Sequence, residues 1–413
     1  MSKVRYHSLN AEARAQVERV KKGFAQTFGS SNISENKLHY FLSPGRTEIA
    51  GNHTDHQMGK VIVASVQLAT FACVEKRNDK EVHFLSETYP QVKMSLDSLD
   101  KKDDEDNTSQ SLVRGVAKGM VNSGRQIGGF NAYISSLVPS GSGLSSSASF
   151  ELLLVSIFDT LFNDGNLSAL ERARVGQFAE NVYFNKPSGL LDQSGSAFGD
   201  LLYMDFGTKP NPETRSLHLD LDAMGYDLWI VLTGGSHANL TPEYAAVPQE
   251  MGQVASCLGV KHLSQAKEED FYKKLPLIRS ELGDRALLRA MHLFAENKRV
   301  EAMVQAIEAR QMNSFLDLVN QSGLSSELLL QNVRVDGDYQ NQELSLALAL
   351  SRHFLENKTG ACRVHGGGFA GTIQAYIRKE DSPAYKELME GVFGPGSCQK
   401  LLITPDGAGE ILI

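Results

Sequence analysis

Apolar side chains recur every three or four positions between residues 11 and 28 (Ala11, Val17, Val20, Phe24, Phe28), with charges between them. That is the spacing of an amphipathic helix. Residues 37–42 form a short apolar run that reads as a strand. The polar, glycine-containing stretch 43–56 follows and reads as a loop. Residues 61–74 are almost continuously apolar, as one or two buried strands would be. Residues 80–96 alternate loosely, like a strand pair, and 101–107 is a charge run best placed in a solvated loop. A helix is expected over 111–119 and a strand over 129–138. The strongly apolar 150–162 reads as a buried helix, and a second helix is expected over 167–183. Strands are expected at 201–206 and 227–233, with a domain boundary in the polar segment 207–215 between them. Residues 243–354 read as mostly helical. A glycine-rich loop at 360–371, a strand at 372–377, a helix at 382–393 and a strand at 400–404 complete the pattern. Helices and strands that do not alternate regularly argue for an α+β fold. The 413-residue length argues for two domains, 1–210 and 211–413.

Composition changes this picture little. The chain is 41% hydrophobic and 22% charged, with a formal net charge of −8, which argues against a nucleic-acid partner needing a basic face. No run approaches the roughly 20 apolar residues of a membrane span, and the polar, mixed-charge residues 1–16 do not read as a signal peptide. Cys73, Cys257, Cys362 and Cys398 form no C-x-x-C pair. Free thiols and a cytoplasmic location are the simplest expectation.

Three stretches carry candidate chemistry. Pro139-Ser140-Gly141-Ser142-Gly143-Leu144-Ser145-Ser146-Ser147 lies between an apolar strand and an apolar helix. A glycine-rich turn running into a helix offers free backbone N–H groups and the positive end of the helix dipole to a phosphate. It is not a Walker loop, since GxxxxGK[ST] is absent from the chain. Glu180 and Asp192 follow as acids. With a serine hydroxyl, a carboxylate makes a hard oxygen site for Mg²⁺, and a second carboxylate can orient or deprotonate a hydroxyl nucleophile. The third stretch is the polar 43–56 segment, with Arg46, Glu48, Asn52, His53 and Asp55.

Taken together, these motifs resemble the GHMP small-molecule kinases. The serine loop is similar to their phosphate loop and residues 366–371 to their third motif. Gly45-Arg46 followed by Gly51-Asn52-His53-Thr54-Asp55 resembles the galactokinase family in particular, as does Ser188-Gly189-Leu190-Leu191-Asp192-Gln193. The resemblance implies an N-terminal ribosomal-S5-like domain and a C-terminal ferredoxin-like domain with the site between them. It implies ATP and Mg²⁺ as cofactors and a small-molecule sugar as substrate, phosphorylated at its C1 hydroxyl, in a monomer or weak homodimer. Asp192 would accept or orient the anomeric proton, and Arg46 would neutralise charge near the transferred phosphoryl group. His53, Asp55, Gly189 and Tyr244 would bind sugar hydroxyls. Gly141, Ser142, Gly143, Leu144, Ser145, Ser146 and Ser147 would cradle the ATP phosphates. Ser146 and Glu180 would hold Mg²⁺.

The chain departs from that family at the sugar end. The family usually has asparagine two places after the arginine and glutamate just before His-Thr-Asp; here the two positions are Glu48 and Asn52, as though exchanged. The family's glutamate reaches the sugar's C6 hydroxyl. Asn52 could still bond that hydroxyl, could tolerate a C6 carboxylate, or could be replaced in its role by Glu48. Galacturonate and N-acetylgalactosamine are therefore alternative substrates, and a non-enzymatic galactose and ATP sensor is the alternative of another class. Milder departures are His56, Ser188, Leu112 and Ser236.

Overall fold

The computed structural model describes every residue except 1, 30–36, 88–90, 140, 187, 208–210 and 236–239. Ser140, Pro187 and Ser236 of the segments above therefore lie outside the described residues.

Chain order begins with β1 (Ser2–Arg5), α1 (Ala11–Phe28), β2 (Leu38–Ala50), β3 (Lys60–Lys76), β4 (Glu81–Ser86) and β5 (Val92–Ser95). Then come α2 (Ser109–Asn122), β6 (Phe130–Ser136), α3 (Ser146–Asn163), α4 (Ala169–Phe178), α5 (Leu191–Phe198), β7 (Leu201–Asp205) and β8 (Glu213–Leu217). The second half carries β9 (Tyr226–Leu232), α6 (Thr241–Cys257), α7 (Glu268–Leu282), α8 (Asp284–Glu308), α9 (Met312–Ser325) and α10 (Glu343–Phe354). It ends with β10 (Gly360–His365), β11 (Thr372–Arg378), α11 (Ser382–Phe393), β12 (Cys398–Leu401) and β13 (Gly409–Leu412). The fold is α+β, as its residue pattern implies.

Among the described residues the strands form two sheets. The larger runs β1-β13-β2-β3-β6-β4-β5, with β7 on β3 and β8 on β7. The smaller runs β10-β11-β9-β12 and is antiparallel throughout. β3 is long enough to serve two neighbours along one edge: residues 60–64 pair with β7 and 70–76 with β6. β8, which begins within the segment read as a domain boundary, pairs with β7 and continues the large sheet. β13 returns from the far end of the chain to the same sheet.

Burial explains the layers. α1 places Val17, Val20 and Phe24 on Tyr40, Leu42 and Phe71 of the large sheet. On the opposite face, Phe41, Val74 and Phe84 pack with Val113 of α2 and with Leu153 and Phe158 of α3. Ile49, Ile62 and Leu201 of the large sheet share a core with Leu228, Ile230 and Tyr376 of the small one, filled by Val300, Val304 and Phe315 of α8 and α9. α10 and α11 cover the small sheet's other face through Leu344, Leu348 and Tyr385.

One reading is overturned here. Residues 43–50 are not a loop but the second half of β2, wholly buried. Pro44 fits inside the strand because the register with β3 shifts between Pro44 and Arg46, and bulges are where strands tolerate proline. The stretch is polar because its side chains are paired inside the molecule.

Candidate active site

β2 sets the site. Its Arg46 reaches Asp192 in the first turn of α5, Nε donating to Oδ1 at 2.7 Å and Nη2 standing 2.6 Å from the same oxygen. Arg46 also donates to the carbonyl of Gly143, and its backbone N–H donates to Leu144 O at 3.0 Å. The serine loop is thereby laid along the free edge of β2. Ser145 donates to Asp192 Oδ2 at 2.9 Å. Burial pushes the Asp192 carboxyl up, but Arg46, Lys186 and the Ser145 bond outweigh it and hold the group below its ordinary value.

Ser145 sits at the N-cap of α3 with φ +57°. Because its hydroxyl is committed to Asp192, its side chain does not cap the helix. The first-turn N–H groups of an uncapped helix are ready for an anion. Gly141 and Gly143 both adopt φ +72°. At Gly143 a Cβ would lie 2.8 Å from Thr372 Oγ1 and 2.9 Å from His365 Nδ1, so the loop presses directly on the small sheet.

A second acid cluster lies one helix away. The chain widens into a π-helical turn at Ala179–Tyr183, which carries the fully buried Glu180. Its Oε1 accepts from Ser147 at 2.7 Å and from Lys186 at 2.6 Å. Gln193 Nε2 bridges Glu180 Oε2 at 2.8 Å and Glu151 Oε2 at 2.9 Å. Burial, reinforced by Glu180, pushes the Glu151 carboxyl well above its usual range. The serine set against Glu180 is Ser147, one position after Ser146; one residue along a helix turns the side chain by about 100°. Glu180 with Ser147 is a hard oxygen pair of the kind Mg²⁺ takes.

The sugar-signature residues face the third motif. His53, at φ +57°, bonds Gly367 O through Nε2 at 2.8 Å. Its Nδ1 is buried with no partner among the described residues, which leaves an acceptor to offer. Burial and the neighbouring His56 push its imidazole down to about 3, so it is neutral at pH 7. Tyr244 donates to Gly368 O at 2.7 Å and meets Phe369 edge-on, centroids 5.3 Å apart. Gly189 and Asp55 touch: a Cβ on Gly189 would fall 1.7 Å from Asp55 Oδ2. The signature and the Asp192 segment therefore close on each other.

Glu48 and Asn52 lie deeper. Asn52 is wholly buried. It donates to Glu48 Oε1 at 3.0 Å and Gly366 O at 2.7 Å, and accepts from Asn332 at 2.7 Å and Ser326 at 3.3 Å. Glu48 accepts from Arg363 at 2.7 Å. Burial pushes Glu48 up, and Arg363 and Arg46 only partly oppose it. Asn52 thus has both amide atoms engaged within the protein, and Glu48 Oε1 is shared between Asn52 and Arg363.

Arg363, His365, Asn332, Lys186 and Gln193 belong to this constellation without having been singled out as site residues. Arg363 and His365 flank the third motif, so their position was available as a signal. Lys186 and Asn332 carry none. A cleft of about 560 Å³ lined by Leu316, Asn320, Arg352 and Cys362 shares no residue with the site.

Comparison with known proteins follows the same geography. Residues 22–76 match the galactokinase galactose-binding signature, and residues 111–200 match the N-terminal domain of GHMP kinases. The galactokinase of Lactococcus lactis subsp. lactis is 30% identical over 399 residues, covering 94% of either chain. The chain belongs to the galactokinase family. It is accordingly a kinase, a phosphotransferase acting on an alcohol group. The Clostridium tetani galactokinase is 28% identical over 378 residues, 90% of this chain and 91% of that relative. The crystal structure of Lactococcus lactis galactokinase complexed with galactose is similar at TM-score 0.79 and 27% identity, covering 97% of this chain and 99% of that one. Methanococcus jannaschii mevalonate kinase, at 14% identity and TM-score 0.61 over 90% of this chain and 100% of that one, shares the fold.

Proposed function

We propose that this galactokinase-family enzyme transfers the γ-phosphoryl group of ATP to the C1 hydroxyl of α-D-galactose, releasing galactose 1-phosphate and ADP. The observation that carries the reading is the Asp192 carboxylate, kept ionised by Arg46 and fastened by Ser145 to the uncapped start of α3. Residues 141–147 would hold the phosphates through backbone N–H groups and serine hydroxyls. His53, Asp55, Gly189 and Tyr244 would bind the sugar, with the free Nδ1 of His53 as one acceptor. Glu48 and Asn52 would support the sugar pocket through the third motif. Glu180 and Ser147, with Ser146 in the same first helical turn, would hold Mg²⁺, which would supply positive charge to the phosphates.

In the transfer, the C1 oxygen bonds to the γ-phosphorus and the bond from that phosphorus to the bridging ADP oxygen breaks. The hydroxyl proton passes to Asp192, early as general base catalysis or late after Asp192 has only oriented it. A loose transition state accommodates the late transfer. Arg46, beside Asp192, offsets the charge gathering on the transferred group.

A C6 carboxylate finds no spare cation in Arg363, which shares Glu48 with Asn52 and is already paired. The division 1–210 and 211–413 stays a proposal, amended by the return of β8 and β13 to the large sheet. A cytoplasmic location is supported by four unpaired cysteines, and a monomer or weak homodimer is the expected state. The test is an ADP-release assay with ATP and Mg²⁺ against galactose, galacturonate, N-acetylgalactosamine and glucose. Galactose with the highest kcat/KM is the expected result. A higher value for galacturonate would reassign the sugar, and galactose binding without ADP release would point to a sensor.

A further inference from the structure

His365 is buried at 3% exposure between the strand that carries Arg46 and the serine loop, and the reaction as drawn does not use it. Its hydrogen bonds determine its state. Tyr376 donates to Gln374 Oε1 at 3.1 Å, which fixes the amide's orientation. Gln374 Nε2 then donates to Thr47 Oγ1 at 2.8 Å and to Glu48 O at 3.2 Å. At the other end, Thr372 Oγ1 donates to Ser142 O at 3.1 Å. A hydroxyl has one proton, so Thr372 accepts its second bond, from His365 Nδ1 at 3.1 Å. A neutral ring protonated at Nδ1 accepts at Nε2, and Thr47 stands there at 3.0 Å. Every proton in the row has one place. Burial beside Arg46 and Arg363 pushes the imidazole down to about 3, in keeping with a neutral ring.

We propose that His365 is a positioning residue for phosphoryl transfer: as the Nδ1–H tautomer it fastens the phosphate loop, through Thr372 and the Ser142 carbonyl, to the β2 residue next to Arg46. The loop's pressure on this row at Gly143 is the second support, since a Cβ there would strike both Thr372 and His365. The row sets the distance between the loop and the arginine without touching either substrate. The inference rests on the reading that residues 141–147 hold the ATP phosphates.

The test compares the wild-type enzyme with His365→Leu, His365→Asn and Thr372→Val, measuring KM for ATP, KM for galactose and melting temperature. Asn carries an amide N–H the same number of bonds from Cβ as Nδ1, so it can still donate to Thr372. Losing the two neutral hydrogen bonds that either side chain makes predicts a KM for ATP raised about five- to thirtyfold in His365→Leu and Thr372→Val. The KM for galactose should stay within about twofold, and His365→Asn should recover most of the loss. Thr372→Val is nearly isosteric, so it reports even where His365→Leu does not fold. Nitrogen-15 spectra of the wild-type histidines at pH 7.5 should show a neutral Nδ1–H ring that disappears in His365→Asn. An Nε2–H ring would overturn the proposal, as would variants whose two KM values rise together with falling melting temperature, or do not change. A wild-type enzyme that neither binds nor consumes ATP would remove the underlying reading as well. That outcome is visible before any variant is made.

Discussion

Strand β2 carries one member of each of two arginine–carboxylate pairs, and the two behave differently. Arg46 meets Asp192 at 2.6 Å and Arg363 meets Glu48 at 2.7 Å. The Asp192 side chain keeps 21% of its surface exposed, whereas Arg363 keeps none and Glu48 8%. For Asp192, burial is outweighed by Arg46 together with Lys186, and the carboxyl falls below its ordinary value. For Glu48, burial outweighs Arg363, and nearby Asp55 pushes in the same direction, so the carboxyl rises. The same pairing therefore makes a reactive anion at one position and a sealed tie at the other. Each carboxylate faces two cations, so what separates them is the access of water and, at Glu48, the neighbouring Asp55.

The comparison breaks most visibly at the reactive pair. Asp192→Asn keeps the shape and removes the charge. We expect kcat to fall about 10²–10⁴-fold in the same ADP-release assay, with a drop in melting temperature as Arg46 loses its carboxylate partner. The sign of the pH dependence follows from the lowered carboxyl. Protonation silences it only below the ordinary carboxylate value near ~4, so kcat/KM should hold as pH falls to that value. A loss of activity between about pH 5 and 6 traced to Asp192 would contradict the assignment. The stability that the ionised group contributes is likewise present above the ordinary value and is lost as pH falls through the lowered one.

At the sealed pair the cost should appear in stability. Arg363→Met leaves Glu48 buried without its arginine and frees the carbonyls of Ile49 and Val364. Denaturant unfolding should show a loss of about 3–5 kcal/mol. A loss below ~1 kcal/mol would mean that water already reaches the pair. Next in size is the exchange of Glu48 and Asn52. Asn52→Glu alone sets a second carboxylate where the amide now donates to Glu48. The double variant Glu48→Asn/Asn52→Glu restores one acid and one amide. A double-mutant cycle should give a coupling of about 2 kcal/mol in favour of the double, and simple additivity would show that the two positions are independent. The smallest effect belongs to Ser147→Ala, which removes one oxygen beside Glu180. The Mg²⁺ concentration for half-maximal ATP turnover should rise about tenfold or less.

The residue pattern made much of this legible, for identifiable reasons. The α3 helix and strands β3, β6 and β9 have long apolar runs or clear periodicity, so local spacing was enough. The serine loop was legible because a glycine-rich turn between apolar strand and helix has few other uses. The second half of β2 was not. Pro44, Gly45 and a row of polar side chains imitate a surface loop, and their burial depends on partners hundreds of residues away. Thr47 meets His365, Glu48 meets Arg363, and Asn52 meets Gly366 and Asn332. Lys186 is hidden for a different reason: it lies only 6 residues from Glu180, and that it faces that carboxylate depends on the π-helical turn and not on residue type. Tertiary pairing of polar groups leaves no period in a chain.

The return of β13 to β2 has a bearing on how the protein is made. Leu42 is hydrogen-bonded in register with Gly409, and β1 closes on β13 in turn. During synthesis the edge of β2 stays uncovered until residues near 409 have left the ribosome, and His365 and Arg363 also arrive late. The nascent first half therefore carries a bare apolar edge and unpaired buried acids for most of its translation time, the condition in which chains recruit chaperones or aggregate. Catalytic competence should appear only once β13 is free to pair, as one late cooperative step. Shortening the chain before residue 409 should reduce the soluble yield before it alters any kinetic constant.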